Sequence, residues 1–297
     1  MTPERRKLLA DCAALARGLA AEGCWRDAAG DGCAWYHGFW PYMRLLDYGS
    51  SPVLHQAFYI DGLASLAAAA TPARVLISGA ADFAMLEVAR EAFADARAVP
   101  RFTVVDRCDT PLALCRWYAE RAGFAVETRT SDILRFEDPQ GFDAIVTHSF
   151  LGGFPPALRA ELVARWFALL RPGGCLLTIN RIRGKQVAAA VPFSAEESAA
   201  FIARLTRDLE QHRDLLDAPP AVIAGMAEAY LGAKRSYPVR SKEELAGLFE
   251  DAGFQFNDFS ELTAADPQEA GAGEARPSGP TMPGNATYVK LIARRPA

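Results

Sequence analysis

From residue 71 onward, apolar runs of strand length alternate with segments whose apolar positions recur at helical spacing. The runs predict strands at 74–79, 101–106, 125–131, 142–148 and 174–181, with helices near 83–95, 110–122 and 155–170 between them. Short connections between such elements are the pattern of a parallel sheet covered on both faces, an α/β doubly wound architecture. Arg171-Pro-Gly-Gly174 ends the third of these helices, because proline cannot extend a helix and glycine turns the chain. Residues 1–70, rich in Ala, Leu and aromatics and lacking alternation, predict helices and a lid or cap. Residues 184–240 interrupt the rhythm with one long amphipathic helix, opened by the capping box Ser194-Ala-Glu-Glu197 and expected to form a lid. A helix from Ser241 to Gly253 and strands at 255–262 and 287–294 complete a seven-stranded sheet. Residues 264–285 are dense in Gly, Pro, Ala and acidic residues and too poor in apolar groups to pack, so they predict a mobile loop. Two last strands joined without a helix must pair antiparallel. The expected organisation is a helical cap, 1–70, and a main domain, 71–297, carrying an insertion at 184–240.

Chemistry concentrates where the first strands end. Arg74-Val-Leu-Ile-Ser-Gly79 followed by a helix, then Phe102-Thr-Val-Val-Asp106, reads as strand, tight turn, helix, strand and acid. Ligands of open α/β sheets bind beyond such strand ends, and an acid at the tip of the second strand can accept hydrogen bonds from a ribose. A dinucleotide site needs G-x-G-x-x-G so that the pyrophosphate reaches a helix N-terminus. Here Gly79 stands alone, with Ala80, Ala81 and Phe83 crowding the positions that would have to be open.

With these residues the chain resembles the class I S-adenosylmethionine (SAM) dependent methyltransferases, in a copy whose glycine motif is degenerate. Leu-Leu-Arg171-Pro-Gly-Gly174 before Cys175-Leu-Leu-Thr-Ile179 and the reversed last strand are similar to the same family. The resemblance covers about 71–183 and 241–295. It implies a Rossmann-like, mostly parallel sheet with an antiparallel last strand, and SAM as cofactor. It also implies Ser78, Gly79 and Ala80 at the methionine part, Asp106 at the ribose, and Arg107 over the adenine. Asp132 would face the adenine amino group with Ile133 beside the ring, or else serve a turn. For Asp106 the rival reading is a helix cap, a task for which Asp109 and Thr110 are better placed.

His148, Ser149 and Phe150 end the fourth strand, where the sulfonium methyl would sit. His148 is either a proton acceptor or a residue contacting the cofactor only through its backbone. Between Trp35 and Arg44, five aromatics, His37 and a cation form either a wall around the sulfonium or the packing of an N-terminal helix. Tyr36 and His37 are the catalytic candidates there and Tyr42 a substrate contact. Asn180, Arg181 and Arg183 lie beyond the fifth strand, where a guanidinium could anchor an acceptor carboxylate or stand in solvent.

Composition narrows the reading. The formal net charge of -4 and the lack of a basic run argue against a nucleic acid, and no apolar stretch reaches spanning length. A cytoplasmic location and a small-molecule substrate are expected, without membrane or nucleic-acid partners, and a homodimer is compatible. Cys12, Cys24, Cys33, Cys108, Cys115 and Cys175 are scattered without C-x-x-C and read as free thiols. A zinc site from Cys24, Cys33 and His37 finds no fourth ligand at a suitable spacing, so no metal is expected. The expected activity is methyl transfer to an oxygen or nitrogen of a small metabolite by in-line displacement. The alternatives are attack at the methionine γ-carbon, with release of methylthioadenosine, and a SAM-binding protein without turnover.

Overall fold

A computed structural model describes residues 1–27, 32–48, 51–183, 190, 192–262 and 286–297. The chain begins with α1 (Pro3–Gly23), whose N-terminus is closed by the Thr2 hydroxyl accepting from Arg5 N and by proline in the first turn. Two short helices follow, α2 (Ala34–His37) and α3 (Trp40–Leu45), then a 3-10 turn and α4 (Gln56–Ala67). The alternating region contains β1 (Arg74–Ser78), α5 (Ala84–Glu91), β2 (Arg101–Asp106), α6 (Asp109–Ala122), β3 (Val126–Thr130) and β4 (Phe142–His148). It continues through α7 (Pro156–Leu169), β5 (Leu170–Arg183), α8 (Ala195–Gln211), α9 (Pro220–Ala233), α10 (Lys242–Asp251), β6 (Gln255–Glu261) and β7 (Ala286–Arg294).

The seven strands form one sheet in the order β3-β2-β1-β4-β5-β7-β6. β1 pairs in parallel with β2 and β4, whereas β7 runs antiparallel to both β5 and β6. The strand order reverses direction between β1 and β4, which opens a crevice at their carboxyl ends. β1 and β4 are apolar on both faces because helices cover both sides, as parallel sheets require. One core packs α1, α4, α5 and α6 against one face, and a second, centred on Trp166 and Phe249, packs α7 and α10 against the other.

A third core lies off the sheet and joins the N-terminal helices to the insertion, with Phe39, Tyr42 and Tyr48 against Phe201, Ile223 and Tyr230. The Ser194 capping box opens α8. The single long helix expected in 184–240 is two helices, however: α8 leaves helical geometry at His212, a 3-10 turn over Arg213–Leu215 follows, and Pro219 and Pro220 then start α9. β5 begins at Leu170 rather than 174, since Leu170 already pairs with Phe142 ahead of a register shift. The loop expected at 264–285 lies outside the described residues, as do 184–189 of the insertion.

Candidate functional site

The crevice at the β1/β4 reversal is a cleft of about 540 Å³. At its floor Gly79 leaves β1 with φ +75°, a conformation that disfavours any Cβ, and the Phe150 ring lies where that Cβ would go. The backbone of Gly79 and Ala80 borders the cleft. Ser78 does not: it is fully buried, and its hydroxyl accepts from Trp166 Nε1 at 2.9 Å. Its role at the methionine part is therefore reduced to holding the strand end on α7.

Asp106 stands at the tip of β2 and lines the cleft. Its Oδ2 accepts from Ala80 N at 3.0 Å and its Oδ1 from Cys108 N at 2.8 Å. Both oxygens keep a second lone-pair direction. Burial pushes this carboxyl above its usual range, opposed by His37 and by the two N–H donors. Neither Asp109 nor Thr110 caps α6: Asp109 is drawn to Arg116, and Thr110 lies 3.3 Å from Cys24 Sγ. Asp132 takes the turn role, its Oδ1 accepting from Leu134 N at 3.0 Å, yet it also borders the cleft beside the buried Ile133. The Arg107 guanidinium is 4.0 Å from the centre of the Trp25 ring and reaches the same rim.

His148 ends β4 on the cleft wall, 3.0 Å from the Tyr59 hydroxyl and stacked near His55. Burial holds it down at about 3, with His55 adding to the effect. The imidazole is thus neutral at neutral pH and a weak proton acceptor. Ser149 follows with φ +52°, strained for a residue with a side chain, and Phe150 turns back over Gly79.

Part of the cleft wall is cationic. Asn180, Arg181 and Arg183 leave the end of β5 into it, and Lys234 enters from the end of α9. Burial lowers Arg183 to about 10, with Arg181 adding, and burial lowers Lys234 to about 8. No ion pair joins Arg181, Arg183 or Lys234 to a carboxylate among the described residues, and buried nitrogens of both arginines lack hydrogen-bond partners. Asn180 is occupied with Thr178 at 3.2 Å.

The aromatic segment divides. Trp35, Tyr36 and Trp40 face the cleft, and the Lys234 ammonium lies 5.0 Å from the Tyr36 ring centre. Burial pushes the Tyr36 phenol well up, so it is a donor and not a base at neutral pH. Tyr42 is absent from the cleft; it is fully buried in the third core and donates to Asp217, so the substrate contact assigned to it is corrected. His37 touches the cleft, but its Nδ1 faces Cys24 Sγ at 3.7 Å within a group that also holds Cys33 and Cys108. An imidazole so engaged is not free to exchange a proton with a substrate, which corrects its catalytic assignment. The fourth donor that sequence spacing lacked is Cys108, two residues beyond Asp106.

No family model and no curated protein sequence matches the chain. Among solved structures it is similar to the Burkholderia thailandensis 1,6-didemethyltoxoflavin-N1-methyltransferase with bound S-adenosylhomocysteine. The identity is 18%, covering 82% of this chain and 79% of that one, with a TM-score of 0.48. It is also similar to the N-methyltransferase NodS of Bradyrhizobium japonicum at 13% identity, 85% and 91% coverage and a TM-score of 0.49. The [4+2]-cyclase SpnF aligns at 17% identity, 81% and 82% coverage and a TM-score of 0.49. The strand order and the reversed β7 settle the architecture. The chain has a Rossmann-like methyltransferase fold.

Within this Rossmann-like fold, sequence reading missed Asp82, Tyr237, Lys234 and Tyr288 on the cleft wall. Asp82 is 3% exposed, accepts from Ala84 N at 2.7 Å and pairs with the buried Arg44 at 2.7 Å, which ties α3 to the turn after β1. Its signal was present in Gly79-Ala-Ala-Asp82, an acid just ahead of a helix. Lys234 had no such signal, because only the packing of α9 against α2 brings it over Tyr36.

Proposed function

We propose that the chain is a SAM-dependent methyltransferase acting on an oxygen or nitrogen of a small anionic metabolite. The observation that carries this reading is the Asp106 carboxylate, held at the β2 tip beside the positive-φ turn of Gly79 at the strand-order reversal. Two fixed backbone donors orient its remaining acceptor directions toward the cleft, where a ribose diol would complete them. Bound SAM would supply a methyl group on a sulfonium, an electrophile that needs alignment and exclusion of water more than a strong base. Gly79 and Ala80 would admit the methionine chain, Ile133 and Arg107 would flank the adenine, and Asp132 would offer its free oxygen to the adenine amino group.

The acceptor's place is argued from charge. Arg181, Arg183 and Lys234 face the cleft without carboxylate partners among the described residues, and a carboxylate or phosphate on the acceptor would pair with them. His148, neutral at its low value, serves by orientation, with Tyr59 fixing its ring. Tyr36 and Trp40 would wall the reacting end from water. The N-terminal helices with α8 and α9 would act together as the lid, in a protein working in the cytoplasm.

Mass spectrometry of the full chain incubated with SAM, alone and with an extract of small metabolites, tests the reading. S-adenosylhomocysteine formed only with extract supports it. Methylthioadenosine from SAM alone would mean attack at the γ-carbon, and binding without product would mean a non-catalytic SAM protein. Asp106→Asn should weaken SAM binding by about 10- to 100-fold in calorimetry, the range for a hydrogen bond to a charged acceptor. Unchanged affinity removes the ribose assignment.

A further inference from the structure

We propose that Cys24, Cys33, His37 and Cys108 bind one zinc ion in a closed tetrahedral site that fastens the N-terminal segment to the tip of β2. Their donor atoms all lie within 4.8 Å of one another. Cys24 Sγ is 3.7 Å from Cys108 Sγ and 3.7 Å from His37 Nδ1. With zinc–sulfur bonds of about 2.3 Å and zinc–nitrogen bonds of about 2.0 Å, a tetrahedron has edges of about 3.8 Å between sulfurs and about 3.5 Å from sulfur to nitrogen. The Cys24–Cys108 and Cys24–His37 separations are already of that size, and the remaining pairs lie within 4.8 Å. A disulfide is a different geometry, with sulfurs about 2.0 Å apart.

Local structure assembles the donors. Arg26 and Gly32 form an antiparallel bridge and Cys33 N donates to Trp25 O at 3.3 Å, so the chain doubles back and sets Cys24 beside Cys33. One turn of helix then carries His37, whose N–H donates to Cys33 O at 3.0 Å. Cys108 arrives from the sheet, 84 positions from Cys24. Outer contacts restrain the sulfurs: Cys24 lies 3.3 Å from the Thr110 hydroxyl, and Cys33 3.7 Å from Trp25 O. The other three thiols differ, with Cys12 and Cys115 fully buried in the first core and Cys175 half-buried in β5, none of them gathered with other metal-binding donors among the described residues.

The donor set selects the ion. Three thiolates and an imidazole are too soft for magnesium or calcium, and four protein donors leave no open position, which marks a structural centre. Binding would release the thiol protons to solvent and leave a net charge of -1 on the centre, close to the Arg107 guanidinium on Trp25. Cys108 joins the centre to the cleft, since its own N–H holds Asp106 Oδ1. The site requires nothing of the SAM reading, as its donors are defined by their mutual geometry alone.

The test is the metal content of the full chain, purified under reducing conditions without chelator or metal-affinity resin. About one zinc per chain by plasma mass spectrometry is expected, lost in Cys24→Ser and Cys108→Ser and kept in Cys175→Ser. Because the first two variants are liable to misfold, wild type stripped of metal and titrated with cobalt(II) supplies the second readout. A saturating visible spectrum of tetrahedral thiolate-rich cobalt at one equivalent supports the site. Metal-free, folded wild type that takes up neither ion overturns it, and so does a Cys24–Cys108 disulfide in the native protein.

Discussion

Gly79 combines a left-handed backbone with contact against an aromatic ring, and the two effects separate by mutation. Gly79→Ala should destabilise the chain by about 2–4 kcal/mol, from the φ penalty plus the clash with Phe150. In a Phe150→Ala background the same change should cost only about 1–2 kcal/mol, because only the backbone term remains. Urea denaturation of the four proteins checks this, and equal losses in both backgrounds would remove Phe150 as the constraint. His148 gives a second residue-level test. Its folded value of about 3 lies below the unfolded 6.5, so the unfolded chain takes up a proton that the folded chain refuses. That term destabilises the fold as pH falls from 6.5 toward 3 and is absent above 6.5. His148→Gln should therefore flatten the acid side of the stability profile between pH 7 and 4, and an unaltered slope would mean that the imidazole is charged in the fold.

Among the elements, α7 carries a buried cation that holds the segment closing one end of the cleft. Arg159 donates to Tyr237 O at 2.5 Å and pairs with Glu244 of α10 at 2.7 Å, at 1% exposure. Arg159→Ala should cost about 3 kcal/mol by leaving a carbonyl and a carboxylate without their donor. Arg159→Lys should not restore it, since one ammonium cannot span both acceptors. A fall in the urea midpoint at constant m-value is the expected observation. Element starts follow local chemistry closely: Ser194 with Glu197 opens α8, Ser241 opens α10, and the Pro219-Pro220 pair opens α9. That pair was visible in the sequence as a helix start, whereas the end of α8 at His212 carries no proline or glycine to mark it.

At the scale of the molecule, two arginines converge in a cleft on a chain whose net charge is -4. Thermal unfolding in a few millimolar sulfate should shift upward in wild type by linkage to anion binding, and much less in an Arg181→Gln/Arg183→Gln variant. Equal shifts in both would mean that sulfate acts only through general exclusion from the surface. No described helix is long and apolar enough to cross a membrane.

The sequence by itself determined the sheet, the order of its elements and the acid at the β2 tip. Strand-length apolar runs, caps and prolines act within a few residues of themselves, and the two closing strands could pair only antiparallel. Only the tertiary structure decided which side chains meet. Tyr42 and Ser78 turn into the interior because Asp217 and Trp166 wait for them there. Lys234 reaches Tyr36 because α9 packs on α2. Cys108 completes a four-donor cluster with residues 71 to 84 positions earlier in the chain. Such contacts are long-range, and spacing carries no record of them; the short-range forces that set helices and strands are written in neighbouring residues, whereas the packing that juxtaposes distant ones is not.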